Sequence, residues 1–600
     1  MIEHIRSAPN INHLWAALLV EELVRQGTTF FVVCPGSRST PLAVAVAQNP
    51  VAEALVHWDE RAAGFVALGW GRATRRPAAV VTTSGTAVAN LLPAAVEADA
   101  DGVPLLLLTA DRPPELRETG ANQTIRQPPI FQDVTGWRLD SPVPTADVPA
   151  RWVLSTAAHA AHCARQQAGP VHLNLPFREP LAATPDGTET AAYLADVERW
   201  ATTDAPCRSF SQLDRQSEHI DADDVDPDLI GRLSRADRGL VVVGDLGLNT
   251  RSVKAAGMLA GELGWPLLPD IRSGLRLGPA HPGTHVVPYV DLALTSRELR
   301  TRSPDAVVHL GGRLTSKRLG RYLREARPGT YVRVGPGSSR LDPDGLVTDR
   351  LRATVHDGAV ALCGAASSES SHWRAVWEAA SKVVGEALDL SEFSEASIAD
   401  RVAGAVREED ALVVAASMPV RDVEAFASAG SASTWAVANR GASGIDGTIA
   451  TAHGVARGLD GAVMVLIGDL ALLHDQTSLA LLREGPLVTV VVINNDGGGI
   501  FHRLPIADGP GALAAGTFER MFGTPHGLTF EHAAAQAGLA YRQPTTQETF
   551  EEALNTARQS GESTLIEVRT DRAEQTALRQ RIEAQVAAAV DAALAKLDDA

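Results

Sequence analysis

The sequence predicts an α/β protein of three domains, each an open, doubly wound and mainly parallel sheet flanked by helices. Three observations predict it. Short runs rich in β-branched residues and leucine alternate with alanine-rich stretches of helical period. The runs are apolar throughout rather than alternating, the pattern of strands buried on both faces. Two polar stretches, 181–228 and 364–372, read as linkers and divide the 600 residues into pieces of single-domain size.

In the first domain, expected over 1–182, the strand runs include Phe30–Cys34, Ala79–Thr83 and Pro104–Thr109. The second, over 205–363, carries Leu240–Gly244 and Ala306–Leu310. The third, over 385–575, carries Ala411–Ala415, Ala462–Ile467 and Leu487–Ile493. Beyond it Ile582, Val586, Val590 and Leu594 recur at helical spacing, predicting an amphipathic C-terminal helix within 576–600. No short-period repeat is present.

Composition excludes several classes. A net charge of -18 opposes nucleic acid and anionic membrane surfaces as partners. Four cysteines stand far apart with no CxxC, so neither a zinc site nor a disulfide framework is readable, and a reducing cytoplasm fits. His281 and His285 lack a second pair of ligands for zinc. The N-terminus has no basic start followed by an apolar core, so no signal peptide is expected. The longest apolar runs, such as Pro486–Ile493, are too short for membrane insertion.

Chemistry concentrates in Ile467-Gly-Asp-Leu470 and Val492-Ile-Asn-Asn-Asp-Gly-Gly-Gly-Ile-Phe501. Each closes an apolar strand, and in open parallel sheets ligands bind at the carboxyl ends of strands. Asp469 offers a hard carboxylate oxygen, Asn495 an amide oxygen and Gly497 a carbonyl. That oxygen-only set suits Mg²⁺ shared with phosphate oxygens. The glycines let backbone approach a diphosphate closely. Either half alone is ordinary turn chemistry; the pair, each after a strong strand, is specific. In the second domain Val243–Leu248 and Val334–Ser339 are glycine strings without a full GxGxxG, and read as strand-end turns.

The paired motif resembles that of thiamine diphosphate (ThDP) enzymes, which begins Gly-Asp-Gly and ends Asn-Asn. Leu470 replaces the third glycine, as in the 2-succinyl-5-enolpyruvyl-6-hydroxy-3-cyclohexene-1-carboxylate (SEPHCHC) synthases of menaquinone biosynthesis. Further blocks resemble that branch: Cys34-Pro-Gly-Ser-Arg-Ser-Thr-Pro-Leu42, Thr109-Ala-Asp-Arg-Pro-Pro-Glu-Leu116, Gly120-Ala-Asn-Gln-Thr-Ile-Arg-Gln127 and Gly169–Leu181. Gly312–Leu319, Ala416-Ser-Met-Pro-Val-Arg421 and Asn439-Arg-Gly-Ala-Ser-Gly-Ile-Asp-Gly447 follow in order. The resemblance covers all three domains, from residue 34 to past residue 504.

The resemblance implies a pyrimidine-binding first domain, a central domain and a diphosphate-binding third domain. It implies decarboxylation of 2-oxoglutarate and 1,4-addition of the succinyl carbanion equivalent to isochorismate. Glu60, after the second strand, would be the acid in proton relay with the aminopyrimidine ring. The cofactor would meet Pro35, Gly36, Glu60, Ser417, Met418, Gly444, Ile445, Gly468, Asp469, Leu470, Asn495, Gly497 and Gly498. Mg²⁺ or Mn²⁺ would take Asp469, Asn495 and Gly497; no FAD is expected. Asp496 stands where relatives can carry a third Asn, and were it to point inward the metal ligand would move by one residue. Both substrates are dicarboxylates, for which arginine is the better bidentate partner. Arg38, Arg112, Lys317, Arg318, Arg421 and Arg440 supply the cations, Ser37 and Gln123 the polar contacts, Phe501 and Leu504 an apolar wall. A homodimer or dimer of dimers with active sites at the chain interface is implied. The cofactor motif also admits another ThDP-dependent 2-oxoacid decarboxylase or carboligase, such as one acting on pyruvate, which the basic set opposes. A catalytically dead binding module would have lost Glu60 or Asp469.

Overall fold

The computed structural model describes residues 2–599 except 167, 211–219, 221, 279–282, 338, 366–370 and 431–434. They form three six-stranded sheets. The first contains β1 (Phe30–Val33), β2 (Glu53–Val56), β3 (Ala78–Thr82), β4 (Leu105–Asp111), β5 (Trp137–Asp140) and β6 (Pro170–Pro176), in the order β2-β1-β3-β4-β6-β5. The second contains β7 (Gly239–Val243), β8 (Pro266–Pro269), β9 (His285–Val286), β10 (Ala306–Leu310), β11 (Thr330–Val334) and β12 (Asp349–Leu351), in the order β12-β11-β10-β7-β8-β9. The third contains β13 (Ala411–Val414), β14 (Trp435–Val437), β15 (Val463–Gly468), β16 (Val488–Asn494), β17 (Ala540–Arg542) and β18 (Thr564–Arg569), in the order β14-β13-β15-β16-β18-β17. Every pairing is parallel. The first and third sheets share one strand order. Their topological switch points, where ligands bind in such sheets, lie between β1 and β3 and between β13 and β15.

The chain forms two compact units. One comprises 1–211, 441–460 and 474–486; the other comprises 212–440, 461–473 and 487–600. In the first, alternate residues of each central strand enter opposite cores. Phe31 joins Leu14, Leu18 and Ala157 on one face; Phe30 and Val32 join Phe65 and Ala94 on the other. The helix Thr448–Leu459 packs on the helix Glu60–Thr74 through glycines. A methyl at Gly69 would collide with the Thr451 carbonyl, and one at Gly454 with that of Val66.

Within the stretch 181–228, the segment 190–201 is not a free linker. Leu194, Val197 and Trp200 are buried in the first core, and the Trp200 indole donates to Glu22 at 2.8 Å. Its few apolar residues are spaced to bury one face, which the polar composition concealed. Of 364–372, residues 366–370 lie outside the described residues, and the helix Ser371–Ala387 begins directly after them.

In the second unit the C-terminal helix runs Arg572–Asp598, with Asp571 accepting from the Ala573 and Glu574 amides as its cap. Ile582, Val586, Val590 and Leu594 are buried together with Trp373 and Trp377. At the switch point of the second sheet Gly244 lies against the Gly312 carbonyl, where a methyl would collide, so backbone fills that crevice. His281 lies outside the described residues; His285 pairs with Glu378. Among the described residues no group of three or more His, Cys, Asp or Glu could hold a metal, and no helix is long and apolar enough to cross a membrane.

Candidate active site

In the first unit the functional side chains sit at the carboxyl ends of β1, β3 and β4. After β1 the chain turns through Pro35 and Gly36, whose position leaves no room for a methyl beside Thr83. Arg38 follows Ser37 and is 7% exposed; its Nη1 donates to the Phe177 carbonyl at 2.9 Å, and its Nε has no partner. The nearest carboxylate, Glu179, is 3.8 Å away and itself exposed. Arg112 follows β4, and its Nη1 donates to Ser84 Oγ. Burial, then the neighbouring Arg38, holds the Arg112 guanidinium below its ordinary value, against Asp111 and Glu179. Gln123, in the left-handed region at φ 57°, donates to the Ser84 carbonyl at 2.9 Å and accepts from Ser84 Oγ at 3.0 Å through its backbone oxygen. Two buried guanidiniums thus lie close enough to disfavour each other's charge, offset by Asp111 and the exposed Glu179, an arrangement that favours an added anion.

Glu60 opens the helix after β2. Asp59 does the capping, accepting from the Arg61 amide at 3.0 Å, so Glu60 is left half-buried and without a hydrogen bond among the described residues. Its charge reaches Cys34: burial, then Glu60 and Asp59, push that thiol up. The same unit carries Gly444 and Ile445. Glu97 pins their loop by accepting from the Gly441 amide at 2.9 Å and the Ala442 amide at 2.7 Å. Ile445 is 36% exposed on this fixed loop, so it is no core isoleucine.

In the second unit Asp469 directly follows β15, as the first residue of the short helix Asp469–His474, and is 2% exposed. Its Oδ1 accepts from the Leu470 amide at 2.6 Å, and its Oδ2 accepts from the Gly497 amide at 2.8 Å, which joins the loops after β15 and β16. The His526 ring lies 3.2 Å from Oδ2. At the end of β16 three neighbours diverge. Asn494 donates to Glu567 at 2.6 Å, beneath the sheet end. Asp496, at φ 59°, accepts from the His526 and Gly527 amides at 2.8 and 2.6 Å. Burial opposes its ionisation, but the Gly527 and His526 amides more than offset this and hold its carboxyl below the usual range. Asn495 donates through Nδ2 to Glu395 at 2.9 Å, and its Oδ1 is buried without a partner. A buried amide oxygen with no partner among the described residues fits a hard divalent cation. Gly468 faces open space, whereas methyls at Gly497 and Gly498 would strike the Gly523 and Phe522 carbonyls.

Other predicted residues of this unit divide. Ser417, at φ 73°, precedes the helix Met418–Phe426, and Arg421 Nη1 donates back to its carbonyl. Burial lowers the Arg421 guanidinium, Asp422 opposes this and Arg579 adds to it. Arg318 is held by Asp291 at 2.7 Å and Glu583 at 2.6 Å, so two carboxylates already neutralise it. Lys317 is exposed and Arg440 half-buried after β14. Phe501 packs on Phe522 with ring centres 5.4 Å apart, and Leu504 is 39% exposed.

Sequence reasoning missed Glu395, Arg503 and His526. A small cleft is lined by Glu395, Met418, Asp422, Asn495, Arg503 and Arg579. Burial, then Asp422, raises the Glu395 carboxyl to about 7 against hydrogen bonds from Asn495 and Thr570. The only signal at Glu395 was the Ser394-Glu-Ala-Ser397 helix start, and at His526 there was none. Arg503 lay two residues past the block, which was read as ending at Phe501.

Comparison with known proteins agrees with this arrangement. Residues 15–130 match the family "Thiamine pyrophosphate enzyme, N-terminal TPP binding domain", 191–414 "Middle domain of thiamine pyrophosphate", and 421–568 "Thiamine pyrophosphate enzyme, C-terminal TPP binding domain". The chain is 48% identical over 596 residues to the 2-succinyl-5-enolpyruvyl-6-hydroxy-3-cyclohexene-1-carboxylate synthase of Salinibacter ruber, covering 98% of each chain. It is 49% identical over 585 residues to that of Rubrobacter xylanophilus, covering 96% of this chain and 98% of the relative. Against that of Pelodictyon phaeoclathratiforme the identity is 39% over 587 residues, 96% of each.

Proposed function

The chain belongs to the family of 2-succinyl-5-enolpyruvyl-6-hydroxy-3-cyclohexene-1-carboxylate synthases, which are thiamine pyrophosphate enzymes, and from that premise we propose that it decarboxylates 2-oxoglutarate and adds the succinyl unit to isochorismate in a 1,4-addition, releasing CO₂. When bound, thiamine diphosphate supplies a nucleophilic thiazolium carbon and the electron sink for loss of the carboxylate.

The residues then divide the work. Glu60 holds and returns a proton at the aminopyrimidine ring; its half-buried, uncapped carboxylate supports that role. Asp469, Asn495 and the Gly497 carbonyl hold Mg²⁺ or Mn²⁺, a reading supported by the orphaned Asn495 Oδ1. Gly468, Leu470 and Gly498 let the diphosphate approach, with Pro35, Gly36, Ser417, Met418 and Gly444 completing the cofactor's contacts. Ile445, 36% exposed on its fixed loop, would press against the bound cofactor. Arg38, Arg112, Arg421 and Arg440 bind the carboxylates of the two substrates, with Ser37 and Gln123 as polar contacts and Phe501 and Leu504 as an apolar wall, and Lys317 and Arg318 border the site. The reading includes a homodimer or dimer of dimers with active sites at the chain interface. Val56 and Trp58, 62% and 66% exposed just before Glu60, offer apolar surface to a second copy. A cytoplasmic location suits four free cysteines.

The observation that carries the choice of substrates is the pair of buried guanidiniums, Arg38 and Arg112: each disfavours the other's charge, Asp111 offsets this at Arg112, and Arg38 meets only the exposed Glu179 at 3.8 Å. Pyruvate has one carboxylate and leaves this pair underused. The test is kcat/KM for 2-oxoglutarate and for pyruvate as donors, in the wild type and in Arg38→Ala and Arg112→Ala. Each charge-assisted bond contributes about 1.5–3 kcal/mol, so each variant should lose roughly 10–150-fold with 2-oxoglutarate or isochorismate while ThDP affinity holds. Pyruvate as the better donor, with both variants indistinguishable from wild type, would assign the chain to another decarboxylase or carboligase.

A further inference from the structure

Asn495 carries two chemically different ends on one flat amide, and a metal ligand must present the oxygen. Its Nδ2 donates to Glu395 Oε1 at 2.9 Å. The same Oε1 accepts from Thr570 Oγ1 at 2.9 Å. Turning the amide over would set its oxygen against an oxygen already engaged as acceptor, losing one hydrogen bond and adding a repulsion. Oε1 remains an acceptor whether or not the other carboxyl oxygen carries a proton. Gly499 closes the amide in from the side: a methyl there would stand 2.8 Å from Asn495 Nδ2.

Glu395 is itself fixed. It is the first residue of the helix Glu395–Gly404, and Ser394 and Ser397 cap that helix reciprocally, the Ser397 amide donating to Ser394 Oγ at 3.2 Å and the Ser394 amide to Ser397 Oγ at 2.9 Å. The Glu395 amide donates to Gln575 Oε1 at 2.9 Å. The carboxylate thus has its backbone anchored and two donors on one oxygen. The consequence is visible at the other end of the amide, where Oδ1 is buried with no protein partner.

We infer that Glu395 is the positioning residue of the cation site: by accepting from Asn495 Nδ2 it locks the amide so that Oδ1 faces the divalent ion. Glu395 touches neither cofactor nor substrate in this role. It acts through Asn495, as outer partners of metal ligands do, and their loss commonly costs about 10–100-fold in metal affinity. The inference rests on the reading of Asp469, Asn495 and Gly497 as the metal's ligands.

The test is a Mg²⁺ titration at fixed ThDP, followed by calorimetry, which reads the Mg²⁺ concentration needed for half-maximal cofactor binding and is independent of turnover. Glu395→Met keeps the volume and removes the acceptor; it should raise that concentration roughly 10–100-fold. Glu395→Ala should do the same should methionine strain the cleft. Glu395→Gln, which keeps an acceptor oxygen, should restore most of the affinity. Combined with Asn495→Ala, Glu395→Met should add nothing, because the ligand it positions is gone. If Asn495→Ala weakens Mg²⁺-dependent binding and Glu395→Met and Glu395→Ala do not, the positioning role is overturned while the ligand assignment stands. If Asn495→Ala itself leaves the titration unchanged, the ligand assignment falls, and the role of Glu395 falls with it.

Discussion

Glu60 stands at the start of a helix whose cap is made by the residue before it. Asp59 accepts from the Arg61 and Ala62 amides, so the Glu60 carboxylate is not spent on the helix end. On the proposed reading Glu60→Gln removes a proton carrier, and it should leave the fold intact. We expect turnover to fall roughly 10²–10⁴-fold, the usual range for a general acid–base group, with ThDP still bound by calorimetry. Wild-type kcat in the Glu60→Gln enzyme would take this carboxylate out of the chemistry. At this scale the sequence was legible where chemistry demanded one residue type at one place. Asp469, Asn495 and the glycines after it could be read because a strand end, a carboxylate and an amide recur as a set. Glu395 and His526 could not: each acts from a distant segment, and only folding brings Glu395 to Asn495 and His526 to Asp469.

At the scale of elements, the central strands were legible and the edges were not. β16 is Val-Thr-Val-Val-Val-Ile-Asn and buried throughout, so its pattern could hardly be anything else. β2, by contrast, is Glu-Ala-Leu-Val at a sheet edge, with three of its residues exposed, and carries little apolar signal of its own. The segment 190–201 was hidden for the opposite reason: three apolar residues in a polar stretch suffice to anchor it. The helix pair Glu60–Thr74 and Thr448–Leu459 was beyond sequence reasoning, because its close approach depends on glycines far apart in the chain. Gly454→Ala decides what that glycine is for. Helix propensity alone predicts a gain of about 1 kcal/mol. The collision with the Val66 carbonyl predicts instead a loss of about 1–3 kcal/mol, as for other overpacked interiors, and we expect the loss to win. Urea unfolding measures it; a Gly454→Ala protein more stable than the wild type would show that the helices have room to separate.

At the scale of the whole molecule, the first and third sheets repeat one strand order, and each places its functional loops at its own switch point. The first gathers Arg38, Arg112 and Gln123, with Glu60 at the start of the helix after the neighbouring strand β2; the third gathers Asp469, Asn495 and Gly497. The sheet between them has its switch point filled by Gly244 against Gly312. Division of labour between two like sheets is the physical content of the proposed reading: one would supply the acid and a pair of cations, the other the clamp for a diphosphate. Its central claim is a reaction, and the direct measurement is mass detection of the product formed from 2-oxoglutarate and isochorismate with ThDP and Mg²⁺. The account predicts an adduct of the succinyl unit with isochorismate, one CO₂ released per adduct, and no adduct when any of the four components is left out. Release of CO₂ from 2-oxoglutarate with isochorismate recovered unchanged would contradict it.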